Sequence, residues 1–463
     1  MTPPTAAAPK AGSSLRVSRK FHVALHLLAA GLLAGAAVAV CVLPEIATHW
    51  WRLQTPLLAT AGMLALTAAV PPQARPARFS RRVCVLASAA ILGLAASEAC
   101  FRVFRFDFRR QAVALERTPP FYRKPALPCG TVFFRRQGPL EWAGQPIRDV
   151  LRALHLEADA YADEPPVRVR YDAFGFRNHP RPDVWEIAVA GDSFTELGHL
   201  QDEDLFTARL AARLGCRVLN LGASNTGPLT HLTYLAEFGR SPATREAMIV
   251  FYEGNDWADL AYESAAEQRF RATGRRPTRE IRPQTSFLRA LGEWVRTGSR
   301  PAPSAPLPVD AWLLVRTGRV AVTLGPPPPA WEDLPPATRA ACEDFLSRFA
   351  DWARAQAVRP WLAFMPVKQR VWHGLLEFSP AATLEMQRWQ PTDAPAVLAA
   401  ASARHRIRFV DLTPALQADT RAHGEPGFNT LYDTHLNARG ARVVAEALAR
   451  ALGEPASGPA AAP

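Results

Sequence analysis

Two hydrophobic patterns divide this chain. Near the N-terminus the apolar positions form unbroken runs, whereas from about residue 180 they come as short strands between amphipathic stretches. Residues 21–44 contain no Lys, Arg, Asp or Glu, a run long enough for a helix to cross the ~30 Å apolar core of a bilayer. A second uncharged run covers residues 53–72, and a third, broken only by Glu98, covers 83–101. The pattern predicts about three transmembrane helices within residues 21–104, behind a basic N-terminal segment of residues 1–20.

Charge orients these spans. Lys10, Arg16, Arg19 and Lys20 precede the first run, Arg52 stands alone in the first connection, and Arg75, Arg78, Arg81 and Arg82 fill the second. Basic segments stay in the cytoplasm. The expectation is therefore a multi-pass protein of a bacterial inner membrane, with everything after about residue 105 on the periplasmic side. A cleaved signal peptide also has a basic start and an apolar centre, but no small-x-small site closes the first run and two more runs follow. The third span carries the tension: Glu98 costs up to about 3 kcal/mol at a bilayer centre, and Arg102, Arg105, Arg109 and Arg110 follow it against the charge rule. Were that run to lie on the membrane surface, the rest of the chain would be cytoplasmic.

Farther along, residues 186–190, 217–221, 248–252, 361–365 and 407–410 read as short apolar strands. Residues 203–214, 229–238, 338–357 and 438–452 have helical spacing. Such alternation predicts an α/β domain over residues 171–453, with a parallel sheet of about five strands covered on both faces. Ligands of such sheets bind beyond the carboxyl ends of the strands.

The polar residues at those ends have a chemical use. Gly191-Asp192-Ser193 follows the first strand, Gly222 the second and Gly254-Asn255-Asp256 the third; Asp433-Thr434-His435 opens the last helix. A serine hydroxyl becomes a nucleophile when an imidazole takes its proton, and a carboxylate fixes the imidazole's tautomer. The anion formed on attack needs donors already aimed at it, which backbone N–H groups and an asparagine amide supply. Singly, each residue has a bland reading: Gly222 ends a strand, Asn255-Asp256 makes a turn, and Asp433 or Asn437 caps a helix. Their succession along the strand ends favours catalysis. Trp257 and Lys368, beside these blocks, are candidate substrate contacts. His199, His231, His373, His405 and His423 have no partner pattern and read as surface or packing residues.

In order and content these blocks resemble the SGNH (GDSL-type) hydrolase superfamily, over about residues 170–453. Ala173-Phe-Gly-Phe-Arg177 and Leu436-Asn437-Ala-Arg-Gly440 resemble flanking stretches of bacterial members. The resemblance implies a flavodoxin-like three-layer α/β/α sandwich. It implies Ser193 as nucleophile, His435 as base and Asp433 as its partner, with an oxyanion hole of Ser193 N–H, Gly222 N–H and the Asn255 amide. Asp433-x-His435 is shorter than the commoner Asp-x-x-His, a form found among polysaccharide acetyltransferase-like members. The function expected is a membrane-anchored esterase or O-acyltransferase working through an acyl-serine on an extracytoplasmic, O-acylated glycan. If it transfers, a separate membrane protein would deliver the acyl group. A lipid-directed esterase, or a non-catalytic glycan-binding or assembly protein on the same fold, are the other readings.

Composition changes little. The net charge of +12 and pI near 9.9 come from scattered arginines without an aromatic-lined stripe, which argues against nucleic acid. The six cysteines show no metal-ligand spacing, so neither a metal nor a cofactor is expected. Residues 258–336 form a proline-rich insertion beside the Asn255 loop, either roofing the site or making a surface excursion. Residues 105–170 read as a linker or subdomain near the membrane, and 454–463 as a disordered tail.

Overall fold

A strand whose two faces are both covered reads as a continuous apolar run, and the central strands here take that form. The computed structural model describes residues 119–122, 125–154, 156–276, 304–316 and 318–453, with 91, 93, 94 and 97. The first two expected membrane spans, most of the third, the basic N-terminus and the tail lie outside the described residues. Among the described residues no helix is long and apolar enough to cross a membrane.

The described chain enters through two antiparallel hairpins. β1 (Leu127–Cys129) pairs with β2 (Phe133–Arg135), and β3 (Leu140–Gly144) pairs with β4 (Val167–Tyr171), with α1 (Pro146–Ala153) between the last two in sequence. Strand and helix then alternate: β5 (Ile187–Gly191), α2 (Ser193–Glu196), α3 (Phe206–Leu214), β6 (Val218–Gly222), α4 (Pro228–Phe238), β7 (Glu246–Tyr252) and α5 (Asp256–Thr273). The hairpin β8 (Ala311–Val315) and β9 (Gly318–Val322) precedes α6 (Pro336–Ala355), β10 (Arg359–Met365) and α7 (Lys368–Val371). The chain closes with β11 (Leu376–Phe378), α8 (Leu384–Arg388), α9 (Ala394–Arg404), β12 (Arg408–Asp411), α10 (Thr413–His423) and α11 (Ala438–Gly453).

Five strands form one parallel sheet in the order β12-β10-β7-β5-β6. Side chains alternate between its faces. Ala188 and Ala190 of β5 and Ala247, Ile249 and Phe251 of β7 pack with helices α4, α5, α6 and α9. Ile187, Val189, Met248 and Val250 pack on the other face with α2, α3, α10 and α11. The expected three layers are therefore present, with strand bounds within about two residues of those read from the sequence, as is usual for element ends.

Ahead of the sheet, Phe133 of β2 is buried in the same core as the sheet, and β3 with β4 builds a small core of Trp142, Val167, Val169 and Tyr171. The insertion is more regular than its prolines suggest. Its start continues α5 to Thr273, and its last part forms the β8–β9 hairpin, which joins β11 in a three-stranded antiparallel sheet. Ala311, Leu313 and Val322 are buried there against the sheet's second core.

Candidate active site

Ser193 is the first residue of α2, immediately beyond the carboxyl end of β5. Asp192 caps that helix, its Oδ1 accepting the Phe194 N–H at 2.9 Å. At the first helical position the Ser193 N–H has no intrahelical acceptor, which suits it to meet a developing negative oxygen. The helix lies directly on two glycines paired across β5 and β6. A Cβ on Gly191 would sit 2.1 Å from Thr195 Oγ1, and one on Gly222 2.3 Å from the Glu196 nitrogen. Gly222 is thus required for close approach, and its N–H donates to Asn220 Oδ1 at 2.8 Å. Asn220 also donates to the Thr195 carbonyl and Thr207 Oγ1, both at 3.0 Å, so it pins α2 to β6.

The candidate acid–base pair, Asp433 and His435, stands on the turn before α11. His435 Nδ1 lies 3.0 Å from Asp433 Oδ1, which also accepts the His435 N–H at 2.8 Å and Asn429 Nδ2 at 3.0 Å. The second oxygen accepts the Tyr122 hydroxyl at 3.3 Å. Asn437 caps the closing helix, its Oδ1 taking the Gly440 N–H at 3.0 Å, which leaves the Asp433 carboxylate to the histidine. Burial disfavours the charged form of both partners, but each overcomes it in the other. Asp433 is held well below the usual carboxylate range by His435, with His199 and Asn429 helping. The His435 imidazole is raised by Asp433, with Asp192 adding to it and Lys368 opposing. With Nδ1 on the carboxylate, Nε2 is left as the base. The ring packs on Phe194, the residue after Ser193, at a centroid distance of 4.8 Å. Among the described residues no hydrogen bond joins Ser193 Oγ to His435; such bonds commonly tighten only in the substrate complex.

Asn255 precedes α5 at the end of β7. Its amide donates to Asp259 Oδ2 at 2.6 Å, one turn along the helix, and also bonds the Asp192 carboxylate, so two acidic side chains aim it. Beneath it lie two fully buried carboxyls, Asp192 and Asp256. Burial pushes Asp192 up to about 6. Burial and the Asp192 charge together hold Asp256 well above the carboxylate range. Asp256 is the neutral member of this pair, its Oδ2 accepting the Tyr252 N–H at 2.8 Å.

Several supports went unread in the sequence. Glu196, fully buried, bonds Arg136 Nη2 at 2.9 Å, the Tyr171 hydroxyl at 2.5 Å and the Ser224 N–H. Burial pushes Glu196 up, but Arg136 and these donors leave it lowered. Glu253, also fully buried, pairs with Arg370, whose Nε lies 2.9 Å from each carboxylate oxygen. His199 is buried 5.7 Å from the His435 ring and is not a surface residue. Its Nε2 donates to the Leu436 carbonyl at 2.9 Å, and burial pulls the ring down to about 4, keeping it neutral.

The two candidate substrate contacts are corrected. Trp257 is buried in the sheet's core, edge-on to Phe251 at 4.6 Å and Trp331 at 5.6 Å. Lys368 is 1 % exposed and directs its ammonium into the protein. Among the described residues no group of side chains could hold a metal ion, and Cys129, Cys216 and Cys342 are free thiols.

No family model and no curated protein matches the chain. Solved structures do. TesA is 13% identical, with 58% of this chain and 98% of that one covered, at a TM-score of 0.31. A phospholipase A1 from Streptomyces albidoflavus is 11% identical, covering 58% and 98%, at 0.30. A carbohydrate esterase family 2 enzyme with a carbohydrate-binding domain, from Corynascus thermopiles, is 13% identical, covering 59% and 68%, at 0.28. At such scores the likeness adds nothing to the site. The resemblance to SGNH hydrolases stands on this chain's own blocks and their geometry.

Proposed function

We propose that this chain is an SGNH-type serine hydrolase, acting on ester bonds through an acyl-Ser193 intermediate. The observation that carries the reading is the Asp433–His435 contact at 3.0 Å, with the histidine ring packed on the residue that follows Ser193. In the first step His435 Nε2 takes the Ser193 proton while Oγ attacks the ester carbonyl, and the carbonyl electron pair moves onto oxygen. That anion meets the Ser193 N–H and the Asn255 amide, which turns to it from its acidic partners. Collapse breaks the bond to the leaving oxygen, which receives the proton held by His435, and the acyl group stays on Ser193. Water or a sugar hydroxyl then attacks in the same manner, giving hydrolysis or transfer.

The substrate class we propose is an O-acylated glycan outside the cytoplasm, with the chain anchored by its N-terminal apolar runs. Those runs and the charge bias around them support the anchoring; the short Asp433-x-His435 block supports the glycan. The test is aryl acetate hydrolysis by the full chain, together with labelling by a fluorophosphonate. Labelling of Ser193 and loss of activity in Ser193→Ala are expected; activity that survives the substitution rejects the mechanism. Product analysis with acetylated glycans against phospholipids separates glycan from lipid substrates. A C-terminal reporter active only in the periplasm tests the orientation.

A further inference from the structure

The turn that carries Asp433 and His435 hangs outside the sheet, and backbone carbonyls along it need donors. Lys368 supplies them. It is the first residue of α7, beyond the carboxyl end of β10, and its Nζ donates to the carbonyls of Asp433 at 2.8 Å, Thr323 at 3.0 Å and Thr430 at 3.3 Å. Three donors thus meet three acceptors, the full capacity of an ammonium. The clamp gathers three parts of the chain: the end of β10, the acid–base turn, and the residue after the inserted hairpin. Thr323 reinforces the joint, its N–H donating to the Thr430 carbonyl at 2.9 Å and its hydroxyl accepting the Tyr432 N–H at 3.0 Å. The base of Lys368 is itself held, since Val367 and Arg370 both bond the buried Glu253 carboxylate.

Resting on the serine-hydrolase reading, we propose that Lys368 is a positioning residue for that reaction: its buried side chain, bonded to the Asp433, Thr323 and Thr430 carbonyls, sets the Asp433–His435 turn in place. Its charge also opposes the charging of the His435 ring. A neutral apolar side chain there would leave the Asp433 and Thr323 carbonyls without donors and the Thr430 carbonyl with the Thr323 N–H alone. A displacement of about 1 Å at a catalytic group can cost roughly 10²-fold in rate. The titratable groups facing Lys368 are Asp433 and Asp310; those facing His435 are Asp433, Asp192, Lys368 itself and the neutral His199. Burial pulls the Lys368 ammonium down to about 7, against Asp433 and Asp310.

Two substitutions in the full chain separate aim from charge. Lys368→Gln keeps two donors without the charge, and Lys368→Met removes both. In both, the acid limb of the kcat/KM profile for an aryl acetate should move up by about half a pH unit or more, because a cation beside His435 has gone. Only Lys368→Met should lose kcat by about 10- to 100-fold, with KM within about threefold. An unmoved acid limb in Lys368→Gln overturns the proposal even if activity falls, since that pattern marks a residue of stability alone. Failure of both variants to fold overturns it for the same reason. Should only Lys368→Met fail to fold, Lys368→Gln decides by itself. Ser193→Ala in the same buffers keeps the two readings apart: its residual activity rejects the serine mechanism, whereas an inactive Ser193→Ala beside a wild-type-like Lys368→Gln rejects only the clamp.

Discussion

Arg136 and Glu196 face each other at 2.9 Å with side chains 5% and 0% exposed, and they join the entry hairpins to the helix that begins with Ser193. The mount of the proposed nucleophile therefore includes chain well ahead of the sheet. A carboxylate on the inner face of α2 carries the cost of desolvation, and the guanidinium together with the Tyr171 hydroxyl offsets it.

Removing one partner should leave an uncompensated buried charge. Arg136→Met is expected to lose about 3–5 kcal/mol of stability, read as a drop in chemical-denaturation midpoint, and Arg136→Met with Glu196→Gln should recover part of it. The folded-state value of Glu196 is lowered, so its contribution is present above the ordinary carboxyl value of about 4.3 and is lost as pH falls through the lowered one. An Arg136→Met protein with unchanged midpoint would show that the pair does not hold α2.

Asn220 gives a second point of attack. Asn220→Ala releases the Gly222 N–H and removes one bond to α2 and one to α3, and should destabilise by about 1–3 kcal/mol for the groups left unpaired. If Gly222 N–H were instead an oxyanion donor, freeing it would raise kcat. A lower kcat and a lower melting temperature together are the expected result.

The pH dependence of activity follows from the Asp433 contact. The base must be neutral to accept a proton, and Asp433 raises His435, so activity should appear only above an acid limb higher than the ordinary histidine value of about 6.5. Asp433→Asn removes the partner that favours the imidazolium, moving that limb to lower pH, while kcat falls by roughly 10⁴ as in other serine triads. A limb that stays put would mean that Asp433 is not the orienting carboxylate. For stability the same raised value predicts a contribution that is complete below about 6.5 and lost as pH rises through the folded-state value.

The Asn255 amide should matter to the transition state more than to binding. Asn255→Ala is expected to lower kcat by about 10²–10³ with little change in KM. Asp259→Ala, which leaves the amide aimed by Asp192 alone, should produce a smaller loss of the same kind. Steady-state kinetics on both variants checks this; a change confined to KM would place Asn255 in ground-state binding instead.

The sheet was legible because β5, β7 and β10 are covered on both faces, so their apolar runs stand out against everything around them. Ser193, Asn255 and His435 were legible for the opposite reason, being polar groups at the ends of such runs. Gly222 was found at its place, but the Asn220 contact to its N–H was not, since it turns on a side chain two residues earlier. Lys368 was misread because its partners are main-chain carbonyls, which every residue carries and no sequence distinguishes. Arg136, Tyr122 and His199 reach the site from distant chain through packing alone, though Glu196 between Phe194 and Leu197 is a charge in an apolar neighbourhood that signals a buried partner.

The bare hydrogens at Gly191 and Gly222 make those two positions a test for decay in related chains. A copy of this gene that kept its serine and histidine but gained even an alanine at position 222 would have to lift α2 off β6, tilting the nucleophile away from its base. Surveys that score such chains as active on the serine and histidine alone would count pseudoenzymes among the enzymes.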